Sequence, residues 1–312
     1  MTIYFNNSSL PTLKCPRRFV LQNVHGLRFV KPDPFRIGSV FHHYMRVIGM
    51  PGDSAFTLTL FPNKKAPEHL TSTIRDCDVT RLADLAVRAS ALLEPNETAV
   101  REQFFSFDST GLIQTPFDKP PDTQVLDAGT LDRLELVSTP LGKFAMITDY
   151  KTTHTKLNSG DFHVNYKLQS QFLFYGSRLR YAARTGQLPE IYKPFEAELA
   201  DSRIMARHLF VNHTDKAAEK PATDQLMLCQ PSILPVDQLD EFDNLFAQER
   251  DLAVFLHTRP DLSPKKGMMN GACYGCPFQQ ICLLANPKLE AEAIERWPLG
   301  RAPYDPRHTD EA

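Results

Sequence analysis

Apolar positions along the chain recur with two periods, one helical and one strand-like. Val79, Leu82, Leu85, Ala86, Ala89 and Leu93 step by three and four residues, which predicts a helix over 78–93 that buries one face. Pro95-Asn96 ends it. After Pro32 and Pro34, the segment Gly38-Ser39-Val40-Phe41-His42-His43-Tyr44-Met45-Arg46-Val47-Ile48 predicts a second helix. Longer helices are expected over 163–184, with Tyr166, Leu173, Phe174, Leu179 and Tyr181, and over 236–258. Strands are expected near 98–108, 124–137, 143–151 and 205–212. Leu134-Glu135-Leu136-Val137, the turn Ser138-Thr139-Pro140-Leu141-Gly142-Lys143 and the run Phe144-Ala145-Met146-Ile147 read as one antiparallel hairpin. Residues 1–30 read as a short cap leading into a helical or extended segment. Residues 49–76 read as an irregular insertion, and 287–312 as a polar helix running into a charged, Pro-rich tail. Helices, a strand meander, a long helix, one more strand and further helices fit a mixed sheet flanked by helices, an α/β or α+β domain. The expected division is an N-terminal segment 1–30, a core 31–260 and a C-terminal segment 261–312.

Composition narrows the picture little, but in useful directions. With 312 residues the chain can bury an ample core as one large or two modest domains. A formal charge of -2 gives no global basic field, so a nucleic-acid partner needs a local basic surface and salt-sensitive binding. No apolar run approaches the roughly 20 residues of a membrane span. The start, Met1-Thr2-Ile3-Tyr4-Phe5-Asn6-Asn7, lacks the regions of a signal peptide, so a cytoplasmic location is expected. Six cysteines in such a chain point to metal or cluster ligation more than to disulfides.

The hairpin carries the candidate chemistry. Gly129-Thr130-Leu131-Asp132 places one acid on its first strand, and Thr148-Asp149-Tyr150-Lys151-Thr152 places an acid and a lysine on its second. Asp149 and Lys151, two apart in a strand, point to the same face. Two carboxylates can hold a hard divalent cation, and the adjacent lysine can neutralise charge or orient a water for phosphodiester hydrolysis. A hairpin with solvated charges is the other reading of these residues.

Cys273-Tyr274-Gly275-Cys276-Pro277-Phe278-Gln279-Gln280-Ile281-Cys282 has the spacing C-x2-C-x5-C, with Gly271 and Gly275 allowing a tight wrap. Three thiolates leave a tetrahedral centre one ligand short, and Cys15, also followed by proline, could supply the fourth. Zinc and an iron–sulfur cluster both suit four thiolates, and buried thiols without metal are the alternative. Cys77 and Cys229 read as ordinary buried thiols.

Taken in order, these pieces resemble the RecB-like branch of the PD-(D/E)xK nuclease superfamily, with likeness to the iron–sulfur exonucleases of CRISPR adaptation and to AddB-type nuclease domains. The resemblance rests on Cys15-Pro16-Arg17-Arg18-Phe19, Gly38-Ser39-Val40-Phe41-His42, Gly129-Thr130-Leu131-Asp132, Asp149-Tyr150-Lys151-Thr152, Gln171-Phe172-Leu173-Phe174-Tyr175 and the three C-terminal cysteines. It implies a restriction-endonuclease-like core whose ends are joined by a [4Fe-4S] cluster, or by zinc, on Cys15, Cys273, Cys276 and Cys282. It implies Mg²⁺ or Mn²⁺ held by His42, Asp132, Asp149 and the Tyr150 carbonyl, with Lys151 in catalysis. His43 points about 100° away from His42 on a helix and cannot serve equally. Gln171 and Tyr175 share a helix face, where the amide could bond Lys151 or a phosphate and the ring could stack on a base, or else pack on the sheet. Glu102 is a candidate accessory carboxylate. Arg17, Arg18, Arg178, Arg180 and Arg184 are candidate phosphate contacts, the last three forming a basic rim or, alternatively, a solvated face.

The implied activity is a DNA exonuclease acting at ends, on single-stranded DNA or overhangs, in repair, recombination or CRISPR adaptation. The implied partners are DNA and a helicase, integrase or recombination protein. A non-catalytic DNA-end-binding subunit and a zinc-stapled interaction module are the rival readings.

Overall fold

The computed structural model describes residues 2–5, 15–27, 33–48, 76–93, 96, 98–108, 124–153, 166–213, 225–263, 276–284 and 286–298, except the side chains of 33–36, 76–78 and 166–169. The expected insertion at 49–76, apart from residue 76, and the end of the tail lie outside these residues. So do Cys273 and the side chain of Cys77.

In chain order the elements are β1 (Thr2–Phe5), α1 (Pro16–Phe19), α2 (Asp33–Ile48), α3 (Asp76–Leu92), β2 (Val100–Asp108), β3 (Gln124–Thr139) and β4 (Gly142–Thr153). Then come α4 (Tyr166–Arg184), α5 (Glu196–Ala200), β5 (Ile204–Asn212), β6 (Leu226–Leu228), β7 (Ser232–Ile233), α6 (Val236–Thr258), α7 (Gln279–Cys282) and α8 (Pro287–Glu295). The sheet is mixed: β1 and β5 pair in parallel with β3 and β4, and the remaining ladders are antiparallel. Helix α2 starts five residues before the expected Gly38, because proline at 34 is tolerated in a first turn whose N–H groups need no helical partner. Strand β1 is absent from the sequence expectation. Its Ile3 and Phe5 point inward, and it is four residues long, too short for periodicity to mark.

Strand β3 carries the sheet. Along one edge it pairs with β2 through 126–134. The opposite edge takes β1 at 124–127 and β4 at 133–139. Residues 128–132 therefore have no strand partner on that edge among the described residues, and β3 and β4 fork apart just beyond the pair Arg133–Thr148. Asp132 and Asp149 are the first residues past the fork.

Face alternation also breaks there. Leu131 and Leu134, three apart, both enter the larger core, although regular pleating would send them to opposite faces. In β2, opposite this break, Glu102 adopts φ 47° between the pairs Arg101–Arg133 and Gln103–Leu131. A non-glycine residue in the left-handed region costs on the order of 1 kcal/mol or more.

One sheet face packs on α4 and α6 through Phe5, Phe105, Leu134, Ile147, Phe174 and Phe246. Gly129 allows this: a Cβ there would stand 3.1 Å from the rings of Phe105 and Tyr175. The other face packs on α2 and α3, with Phe41, Tyr44, Leu82 and Leu85 over Tyr150, Leu209 and Val211. The two ends of the chain meet in a satellite core of Leu21, Leu27, Phe278, Ile281 and Ile294, with Cys276, Cys282 and Trp297 against it. Arg17 ties that junction together. It is ion-paired to Glu290 and donates to Ser263 Oγ at 3.1 Å.

Candidate active site

The fork leaves backbone groups without a ladder, and one acid repairs the loss. The Tyr150 N–H, which has no β3 carbonyl to meet, donates to Asp132 Oδ2 at 2.6 Å. This bond fixes Asp132 at the mouth of the fork. Helix α2 lies over Tyr150 and brings the His42 ring within 5.9 Å of the Tyr150 ring. His42 Nδ1 then stands 2.8 Å from Glu102 Oε1 and 3.4 Å from Asp132 Oδ1.

Ligand atoms of His42, Glu102 and Asp132 all lie within 4.8 Å of one another. An octahedral Mg²⁺ at about 2.1 Å sets neighbouring ligands about 3 Å apart, so small adjustments suffice for all three to share one ion. Two buried carboxylates and one imidazole form an oxygen-rich set suited to Mg²⁺ or Mn²⁺. The donor set fits the cation the sequence implies, but its membership differs from the expected one. Glu102, expected only as an accessory, stands in the group, and Asp149 stands outside it. The left-handed turn at Glu102 is what aims its carboxylate at His42, and no sequence signal marks a glutamate for that backbone.

Asp149 is held from two other directions. Lys151 Nζ lies 2.9 Å from Oδ1, and His208 Nδ1 lies 3.0 Å from Oδ2. His208 comes from β5, whose parallel register sets it beside Asp149. Motif spacing does not reveal it, because the residues are 59 apart and only strand register joins them. Lys151 also donates to Gln171 Oε1 at 3.0 Å, Gln171 Nε2 donates to the Tyr175 hydroxyl at 3.3 Å, and that hydroxyl donates to the Thr130 carbonyl at 2.8 Å.

The electrostatics follow from burial and crowded acids. Burial works hardest against charge on His42, but Asp132 and Glu102 outweigh it and push its pKa up to about 10. Burial, helped by Glu102 and Asp149, pushes Asp132 up to about 8 against the pull of His42 and Lys151. Asp149 moves the other way: burial would raise it, but Lys151 and His208 together bring it below the usual carboxylate range. Burial opposes charge on Lys151, yet Asp149 and Asp132 raise its pKa. Lys151 is therefore an ammonium at neutral pH and cannot itself deprotonate water.

Several expected contacts are corrected. Arg178 is not available to DNA: it is 2% exposed and its guanidinium is consumed by Asp127 and Asp243. Arg180 binds Asp240 and Asp243, so two of the three arginines of the expected rim are committed to internal ion pairs, while the third, Arg184, is exposed and bonds the Ala200 carbonyl and Ser202; Arg17, at the other end of the chain, is paired with Glu290. The Tyr175 ring is buried edge-on against Phe105 and Phe174 and cannot stack on a base. Gln171 meets Lys151, one of its two expected partners. Cys229 is half-buried, with burial raising its thiol pKa.

Cys15, Cys276 and Cys282 are free thiols; Cys276 and Cys282 pack against the junction of the chain ends, and Cys15 precedes α1, two residues before Arg17. Among the described residues they do not form a group with sulfurs within 4.8 Å, whereas a tetrahedral zinc site with Zn–S near 2.3 Å needs about 3.8 Å between sulfurs. The junction is there, closed by apolar packing and the Arg17–Glu290 pair, while four-cysteine ligation is not shown.

A family profile described as the PD-(D/E)XK nuclease superfamily matches residues 9–283. The chain belongs to the PD-(D/E)XK nuclease superfamily. Membership carries metal-dependent phosphodiester hydrolysis with DNA as the substrate, and gives the fork its chemical meaning. In this PD-(D/E)XK chain, Asp132 stands on β3, and Asp149 and Lys151 stand on β4. No curated protein matches the chain. Among the described residues no helix is long and apolar enough to cross a membrane.

Proposed function

We propose that the protein is a deoxyribonuclease that works from DNA ends, on single-stranded DNA or overhangs, with His42, Glu102 and Asp132 as the first cation ligands. The observation that carries metal-dependent cleavage is the convergence of those three side chains at the fork, one strand away from the Asp149–Lys151 pair. A bound Mg²⁺ or Mn²⁺ supplies Lewis-acid activation of water and neutralises charge on the scissile phosphate. The protein's own residues do the rest. Asp132 is held by the Tyr150 N–H, so one oxygen stays turned to His42. Asp149, together with the Tyr150 carbonyl, completes the binding side of the cleft. Lys151, kept charged by Asp149 and aimed by Gln171, orients the attacking water and faces the charge that builds on phosphate oxygens.

End-directed action rests on the RecB-like order of motifs, in which a helical histidine precedes the acids, as does a role in repair, recombination or CRISPR adaptation beside a helicase, integrase or recombination partner. The cysteines extend the proposal. Cys276 and Cys282 sit where the chain ends meet, Cys15 precedes α1, and with Cys273 they would hold a [4Fe-4S] cluster. Each of its irons takes its own thiolate, so the sulfurs need not crowd as they do around zinc.

Protein purified without oxygen is to be assayed on end-labelled linear and on circular DNA, single- and double-stranded, with Mg²⁺, Mn²⁺ or chelator. Cleavage of linear substrates only, lost in chelator and in Lys151→Ala, is expected. Equal cutting of circles would remove the end-directed part, and chelator-resistant cutting would remove the metal. Iron and sulfide content reads the cluster separately.

A further inference from the structure

His208 has no place in the hydrolytic reading above, yet it makes one of the two side-chain contacts that fix Asp149. The register Asp149–His208 between parallel β4 and β5 places both side chains on one face of the sheet. His208 Nδ1 lies 3.0 Å from Asp149 Oδ2, and the pair is almost wholly buried, at 10% and 1% side-chain exposure. The imidazole is not free to turn. It packs 4.4 Å from the Phe172 ring and 5.2 Å from the Phe210 ring, and its own backbone carbonyl accepts the Cys229 N–H.

Asp149 without this partner would answer to Lys151 alone, which already lies within 2.9 Å of Oδ1 and 2.8 Å of Oδ2. An ammonium that reaches both oxygens draws a carboxylate into a symmetric pair and turns it away from other ligands. An imidazole on Oδ2 from the neighbouring strand breaks that symmetry and sets the plane of the carboxylate. This matters because Asp149 stands outside the group formed by His42, Glu102 and Asp132. It adds to that group only if it keeps an oxygen turned across the fork.

We propose that His208 is a positioning residue, which locks the rotation of the Asp149 carboxylate and so holds it ready to join the cation bound by His42, Glu102 and Asp132. The proposal rests on the metal-dependent reading of the fork.

The test uses the full chain and Mn²⁺ as the probe. Mn²⁺ affinity is measured without DNA by titration calorimetry for the wild type, His208→Ala and His208→Asn, with the half-saturating Mn²⁺ for cleavage measured alongside. Asn places an amide donor close to where Nδ1 stands, whereas Ala places none. The Ala variant is expected to bind Mn²⁺ about 10-fold more weakly or worse, with cleavage largely restored at saturating Mn²⁺. The Asn variant is expected to recover most of the affinity. Thermal midpoints in chelator, where both variants lose the same ring packing, separate a folding defect from a metal defect. Wild-type affinity in the Ala variant, or equal loss in Ala and Asn, would overturn the role of His208. A wild type that binds no Mn²⁺ would overturn the metal reading and this proposal together.

Discussion

Strand β3 carries two buried acids five residues apart, each the centre of a cluster of charge, and the clusters differ in how the charge is balanced. At Asp127 the carboxylate receives Arg178 at 3.1 Å and Arg250 at 3.0 Å, while Asp240 and Asp243 take up Arg180 and the rest of Arg178. Arg178 and Arg250 also lie over the Phe246 ring, at 4.9 and 5.6 Å. Acids and guanidiniums match in number, and the cluster staples β3 to α4 and α6. At Asp132 the acids Glu102, Asp132 and Asp149 face one lysine, and the deficit is met by protons retained on His42 and Asp132. A balanced cluster is closed structure. An unbalanced one holds protons where a cation can replace them.

Substitutions can break that contrast. Lys151→Ala and Asp132→Asn are each expected to lower cleavage by about 10²–10³-fold or more while the fold persists, as read by steady-state assay and circular dichroism. Asp127→Asn should do the reverse. Removing the acid between two buried guanidiniums costs about 3–5 kcal/mol in chemical denaturation, while the molecules that remain folded still cut. Loss of cleavage at unchanged stability in Asp127→Asn would erase the distinction between the clusters.

Acidity sharpens it. A group whose pKa is raised by folding binds more protons in the native state, so the metal-free protein loses stability as pH rises. For Asp132 this spans the interval from its ordinary value near 4 up to about 8, and for His42 from about 6.5 up to about 10. A cation must displace those protons. Mn²⁺ affinity is therefore expected to climb between pH 6 and pH 8, by up to roughly tenfold per unit for each proton released, and thermal stabilisation by Mn²⁺ should climb with it. A flat profile would place the retained protons elsewhere. The smallest effect is at the left-handed position. Glu102→Gly relieves the backbone but removes the carboxylate paired with His42 and adds freedom to the unfolded chain, so metal-free stability is expected to change by no more than about 1 kcal/mol while Mn²⁺ binding weakens.

Much of this was legible in the chain because it is local. The hairpin that carries Asp132, Asp149 and Lys151 follows from two apolar runs around one turn, and α6 matches its expected span at 236–258. What stayed hidden depends on distant pairing. Arg178 reads as a phosphate contact in the sequence because helical spacing cannot show that Asp127, 51 residues earlier, lies beneath it. His208 is joined to Asp149 only by strand register, and Glu102 enters the group of three only through a backbone turn that its residue type disfavours. The family match adds the reaction without adding either of these residues.

Because the Tyr150 amide donates to Asp132 Oδ2, its proton is a resident spectroscopic reporter of the cleft. Any cation that draws electron density from that carboxylate must move the Tyr150 amide resonance. Occupancy could then be followed by nuclear magnetic resonance with diamagnetic Mg²⁺ before a single phosphodiester is offered.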